Sequence, residues 1–296
     1  MNETKKTVET VVISSTVTGS RFVAAEWNKS IQVWDIYDGF VSKFESELDW
    51  FGSTYRVSIS EDGERVAVGS YEENSVALYE SDTGKLVWKR KGIRTVQDVS
   101  ILDFMSNVVF VNTEDYGSFF LNINTGETIE KPRGIKVVKK NPYGSINMFG
   151  KRLDVLLLNG IELPPIKKYS RKCFAMLDAC FSNDTVFCAY ACNPLEAISL
   201  VTLEPIWEIN VAGHFRDIKY CVDIDTLLGI RWDYDKGGPK WLCYINAKTG
   251  KIEKEVCVGG AVANRLLCHG KFVVTNHGEV YSTISGQKVK QFDFEN

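Results

Sequence analysis

No stretch of this 296-residue chain approaches the roughly 18 consecutive apolar residues of a membrane-spanning helix; the longest purely apolar runs, such as 155–158, are strand-sized. The opening residues, MNETKKTVETVVISS, hold no apolar segment of the length an export signal needs. Both absences predict a cytoplasmic protein with no membrane contact. Histidine is scarce. His214, His269 and His277 are the only three, too few for most histidine-based zinc or iron centres. Cys268 and His269 are adjacent, so strand alternation sends them to opposite faces. Gly-x-Ser-x-Gly, a phosphate-binding loop and His-Glu-x-x-His are all missing. A positive excess is missing too: 35 Lys and Arg against 38 Asp and Glu leave a formal charge of −3, which argues against nucleic acid as the main ligand. Cysteine is absent until position 173; the eight stand at 173, 180, 188, 192, 221, 243, 257 and 268, mostly in apolar runs. They read as buried free thiols of a reducing compartment. Cys188-x3-Cys192 has no second pair of matching spacing. No catalytic residue, metal site or cofactor is expected.

What is present is a repeat. The turns Tyr37-Asp38-Gly39-Phe40, Asp82-Thr83-Gly84-Lys85, Asn124-Thr125-Gly126-Glu127, Lys248-Thr249-Gly250-Lys251 and Ile284-Ser285-Gly286-Gln287 share one pattern. Asn159-Gly160-Ile161-Glu162 is a shortened copy, and Leu203-Glu204-Pro205 fills the remaining slot without glycine. A tight hairpin turn needs a residue at positive φ, which glycine adopts without cost. Gly39 and Gly286 stand 247 residues apart, so six intervals average about 41 residues, the length of a propeller blade. Two short apolar strands precede each turn's own strand and a fourth follows it, for example YRVSIS, RVAVGSY, VALYES and LVWKRK around residue 82. The pattern predicts an all-β chain folded as a single β-propeller of seven four-stranded blades spanning 7–294, after a short tail at 1–6, with six or eight blades as the alternatives. Packing blades in a ring covers both faces of every sheet and leaves only short outer edges.

The stretch YRVSISEDGERVAVGS (55–70) resembles the WD-repeat and related propeller superfamily, and Ile31-Gln-Val-Trp-Asp35 places Trp34-Asp35 where a WD unit ends. ESDTGKLVWK (80–89) looks more like a blade of the quinoprotein dehydrogenases. The resemblance implies a propeller and, for the WD type, a platform for other proteins. Most blades lack Trp-Asp and none shows Gly-His in the usual place, so the Asp–His–Ser/Thr–Trp network of WD blades is mostly missing. The quinone activity is disfavoured by the blade count and by the lack of adjacent cysteines.

The loops between second and third strands all fall on one face, together with those between blades. They carry Trp27, Tyr71, Tyr116, Tyr190, Trp232, Tyr234 and Trp241, with Trp50 in the loop between the first two blades. Large aromatics in loops point to contacts. Ten acids, Glu72, Asp233 and Asp235 among them, stand there against six bases, which suits a partner with a basic contact surface. The 231–241 loop is the longest. The expected function is a non-catalytic protein-binding platform, monomeric by itself. One alternative is an immunity or inhibitor protein binding a single target enzyme 1:1. The other is a hydrolase or lyase with an axial site.

Overall fold

The computed structural model describes residues 12–15, 20–25, 30–48, 56–102, 108–113, 117–130, 176–182, 184–190, 194–199, 201–202, 204–232, 240–258 and 266–294. These contain 23 strands in six antiparallel sheets. The first is β1 (Val12–Ser15), β2 (Arg21–Ala25), β3 (Ser30–Asp35) and β4 (Gly39–Glu45); the second is β5 (Arg56–Ile59), β6 (Arg65–Ser70), β7 (Ser75–Glu80) and β8 (Leu86–Lys91). β9 (Val96–Leu102), β10 (Val108–Thr113) and β11 (Ser118–Asn122) make a three-stranded third sheet. β12 (Met176–Phe181), β13 (Thr185–Tyr190), β14 (Leu195–Ser199) and β15 (Pro205–Ile209) follow. Then come β16 (His214–Cys221), β17 (Thr226–Trp232), β18 (Lys240–Asn246) and β19 (Ile252–Val258). The last sheet is β20 (Leu266–His269), β21 (Phe272–Thr275), β22 (Glu279–Ser282) and β23 (Lys288–Gln291).

The sheets occupy the positions that the sequence assigns to blades one, two, three, five, six and seven. Blade four, with its turn at 159–162, lies outside the described residues. In blade three, the expected fourth strand at 128–132 is reduced, among the described residues, to one bridge between Leu121 and Thr128, supported by Ile129 N donating to Phe120 O at 2.8 Å.

Strand character follows position in the sheet. Middle strands such as β6 (RVAVGS) and β7 (SVALYE) are buried almost throughout, because a neighbouring blade covers each face. Outer strands such as β19 (IEKEVCV) and β23 (KVKQ) are charged and mostly exposed. The register between third and fourth strands shifts at the same place in every four-stranded sheet: after Val33, Leu78, Ala197, Tyr244 and Val280. Such a bulge sharpens the twist just before the turn. The five expected turn glycines, Gly39, Gly84, Gly126, Gly250 and Gly286, all have positive φ, between 65° and 94°.

Two of those glycines also show how blades dock. A Cβ on Gly84 would lie 2.3 Å from Phe44 Cβ, and one on Gly126 would lie 2.7 Å from the Trp88 ring. Phe44 and Trp88 belong to the fourth strand of the preceding blade. Trp88 Nε1 also donates to the Ile123 carbonyl at 2.6 Å, and Trp207 repeats the contact on Ala247 O at 2.8 Å. The ESDTGKLVWK motif is thus a docking device, in which glycine makes room for the previous blade's aromatic ring. Trp88→Phe keeps most of the ring contact and loses the hydrogen bond. It should cost about 1 kcal/mol, read as a shifted midpoint in urea denaturation.

The hydrophobic core is divided among the blade interfaces. Val23, Leu48, Val57 and Tyr79 fill the first interface, and Leu78, Trp88, Val99 and Leu121 the second. Phe187, Phe215 and Leu227 lie between blades five and six; Leu228, Leu242 and Tyr281 lie between six and seven. Side chains also tie two inner strands, β5 and β16, to the next blade's backbone. Ser58 Oγ accepts from Ile101 N at 3.1 Å, and Asp217 Oδ2 accepts from Leu266 N at 2.6 Å.

The last blade packs against the first, β20 beside β1. Each described four-stranded blade is one continuous segment, so no strand is exchanged between the ends. Side chains make the closure instead. Phe292 and Phe294 pack with Phe22 and Trp34, and Gln32 Nε2 donates to Phe294 O at 2.6 Å. The architecture is a β-propeller.

Candidate functional site

The antiparallel meander puts the ends of β6, β13, β17 and β21 and the starts of β7, β14, β18 and β22 on one face, as strand order requires. In the 71–74 turn of blade two, Tyr71 is half-exposed and Glu72 exposed. This turn is held firmly. Asn74 takes a left-handed φ of 55°, its carbonyl accepts from Ile93 N at 3.0 Å, and its side chain accepts from Thr95 N at 3.0 Å. Glu73 pairs with Lys89 at 2.7 Å.

Blade six supplies the most developed part. His214, Trp232 and Lys240 are register partners across β16, β17 and β18. A bulge between Phe215 and Asp217 leaves Arg216 unmatched in the ladder and turns it toward the same ring. The Arg216 guanidinium carbon and the Lys240 ammonium each lie 4.7 Å from the Trp232 ring centre; the His214 ring is 5.9 Å away. Two cations therefore hold one indole. Burial, with Arg216 adding to it, lowers Lys240 to about 8 and His214 to about 4. Trp241 faces the other side of the sheet, against the interface with blade five. Its neighbour Arg231 bonds Glu255 at 2.8 Å. Trp232 and Trp241 therefore lie on opposite faces of the sheet.

Other expected site residues fall differently. Tyr190 is 3% exposed and its hydroxyl donates to Glu196 Oε1 at 2.6 Å. It serves the blade interior and offers no contact surface. Glu196, an acid of the same segment, is fully buried at the same place. Its strand β14 begins at Leu195, two residues earlier than the sequence pattern suggests. Trp27, Trp50, Tyr116, Asp233, Tyr234 and Asp235 lie outside the described residues. Arg216, Lys240 and His214 were not among the expected site residues. Only the bulge brings Arg216 to the ring, and nothing in the local pattern marks it.

Among the described residues, no group of three His, Cys, Asp or Glu is placed to hold a metal ion. Cys268 and His269 do point apart. Cys268 packs toward blade six, while His269 lies 5.8 Å from the Tyr37 ring of blade one. The described cysteines are free, and Cys188, Cys221 and Cys243 are buried as expected. Cys257 is exposed, because β19 is an outermost strand with one face to water. No helix among the described residues is long and apolar enough to cross a membrane.

No family model and no curated protein matches the chain. Among solved structures it is similar to Sqt1 of Saccharomyces cerevisiae, at 9% identity over 97% of this chain and 86% of that one, with a TM-score of 0.61. It is also similar to BamB from Moraxella catarrhalis (15% identity, 95% and 72% covered, TM-score 0.38). The Cps50 (Swd1) β-propeller domain of Myceliophteria thermophila is a third (13% identity, 98% and 88% covered, TM-score 0.46). Identities this low speak to fold alone, and the Sqt1 likeness carries the comparison. No specific family within the propeller superfamily is shown.

Proposed function

We propose that this chain is a non-catalytic protein-binding platform, formed by one propeller domain over 7–294, whose partner docks on the face carrying the 231–241 loop. The supporting observation is Trp232, held half-exposed between Arg216 and Lys240 at the foot of that loop. A large ring fixed before binding loses little entropy on contact, which is what makes tryptophan an effective anchor. Tyr71 and Glu72, on a turn pinned to the neighbouring segment, extend the surface to blade two. Trp27, Trp50, Tyr116 and the 233–235 acids complete it in this reading, and the acids favour a basic contact surface on the partner. The protein works in the cytoplasm and is monomeric until the partner binds.

The test is an affinity capture from the source lysate, followed by calorimetry with the captured protein. Trp232→Ala should weaken binding at least tenfold, roughly the 1.4 kcal/mol or more of a hot-spot residue. Its circular dichroism melt should stay close to that of wild type. Val201→Ala, on the opposite face and 81% exposed, should bind normally. Equal affinity for all three proteins sinks the reading. A strict 1:1 complex that silences an enzyme selects the inhibitor version, and several simultaneous partners select the scaffold.

A further inference from the structure

Cys221 closes the inner strand of blade six, and Cys268 lies on the inner strand of blade seven. These strands pack directly against each other, and both sulfurs belong to the same apolar cluster with Leu228, Tyr244 and Tyr281. The Cys221 thiol lies 3.6 Å from the Gly270 carbonyl, two residues beyond Cys268. Hydrogen bonding with Cys268 holds the Cys221 thiol below its ordinary value, against burial and the Asp223 charge, while Cys221 and burial push the Cys268 thiol up, against Lys219. A thiol lowered in this way is the more reactive of a pair. The other described cysteines differ: Cys188 and Cys243 are deeply buried and their thiols are pushed up, by burial first, while Cys257 is exposed on an outer strand.

We propose that Cys221 and Cys268 are an oxidisable thiol pair that closes to a disulfide and staples blade six to blade seven. The oxidant is a small hydroperoxide such as hydrogen peroxide, which reaches the half-buried Cys268 edge of the cluster. The Cys221 thiolate attacks one peroxide oxygen. The O–O bond breaks, a sulfenic acid forms, and hydroxide leaves as water by taking a proton. The Cys268 sulfur then attacks Cys221 Sγ and gives up its proton. The S–O bond breaks, the S–S bond forms, and a second water leaves. Two thiols lose two electrons and two protons, and one peroxide becomes two waters. Cys221 is the register partner of Thr226, at the end of β16 opposite the His214–Trp232 pair, so the bond stands independently of the partner-binding reading.

The experiment treats the native chain with hydrogen peroxide, quenches with catalase, then denatures, alkylates and digests with trypsin without reduction. The two cysteines fall in separate tryptic peptides, YCVDIDTLLGIR (220–231) and LLCHGK (266–271). The expected product is these two linked, lighter by about 2 Da than their sum through loss of two hydrogens, and separated again by dithiothreitol. The melting midpoint should rise by roughly 5–10 °C on oxidation, since the cross-link restricts the unfolded chain, and fall back on reduction. Cys268→Ser removes both signals, with Cys221→Ser as the companion variant. Peroxide that oxidises Cys257 while Cys221 and Cys268 are recovered fully alkylated overturns the proposal. Sulfinic acid at Cys268 without any linked peptide does the same.

Discussion

Replacing Trp34 with alanine should cost about 3–5 kcal/mol of stability, the range for removing a buried aromatic. Trp34 is 8% exposed and stands where the ring closes. Its indole lies 5.2 Å from the Phe292 ring and 5.7 Å from Phe294, centre to centre, and its Nε1 donates to Gln32 Oε1 at 3.0 Å. Gln32 in turn holds the Phe294 carbonyl. Where ends exchange a strand, a ladder of backbone hydrogen bonds shares the load of closure. Among the described residues no strand crosses, so the aromatic cluster carries that load. Urea denaturation should show the loss, and Trp34→Ala combined with Phe292→Ala should destabilise by less than the sum of the single changes. Val201→Ala, on an exposed turn, should move the midpoint by no more than about 0.5 kcal/mol. If Trp34→Ala behaves like Val201→Ala, the seam does not hold the ring.

Acid should weaken the fold well before the carboxylates titrate, because of His214. It is 2% exposed, and burial with the nearby Arg216 charge brings it from 6.5 to about 4. The unfolded chain takes up a proton near 6.5 that the native state refuses until about 4. Stability is therefore greatest above 6.5 and falls as the pH drops toward 4, by about 1.4 kcal/mol per unit at the steepest. Across the window the loss reaches roughly 3 kcal/mol. His214→Gln removes the titration, so its midpoint should change little between pH 6.5 and 4.5 while wild type declines. Asp35 and Asp225 are both held below the ordinary carboxylate value of 3.8. For Asp35, burial pushes upward but is outweighed by the Ser20 hydroxyl and the Asp38 and Tyr37 amides; for Asp225, Lys248 and Tyr220 act first. Both contribute below this window, so their protonation does not confuse the comparison. Parallel slopes for wild type and His214→Gln would remove His214 as the acid-sensitive group.

The strands were legible because their chemistry repeats. RVAVGS and SVALYE are apolar without alternation, as strands covered on both faces must be, and LVWKRK shows one face to water. The turn glycines were legible because backbone geometry alone demands them. The candidate site was much less so. Tyr190 looked like a loop aromatic until β13 proved to reach it and Glu196 took its hydroxyl inside the sheet. Arg216 carries no mark in the sequence; a single-residue bulge swings it over Trp232.

The sequence by itself determined the all-β architecture, the blade period and the turn positions, because these depend on residue type at short spacing. Only the tertiary structure decided how the ring closes, which aromatics face out and which cysteines meet. Gln32 and Phe294 stand 262 positions apart along the chain, and Cys221 and Cys268 belong to different blades. Contacts of that kind depend on how whole sheets pack, and no local pattern encodes them.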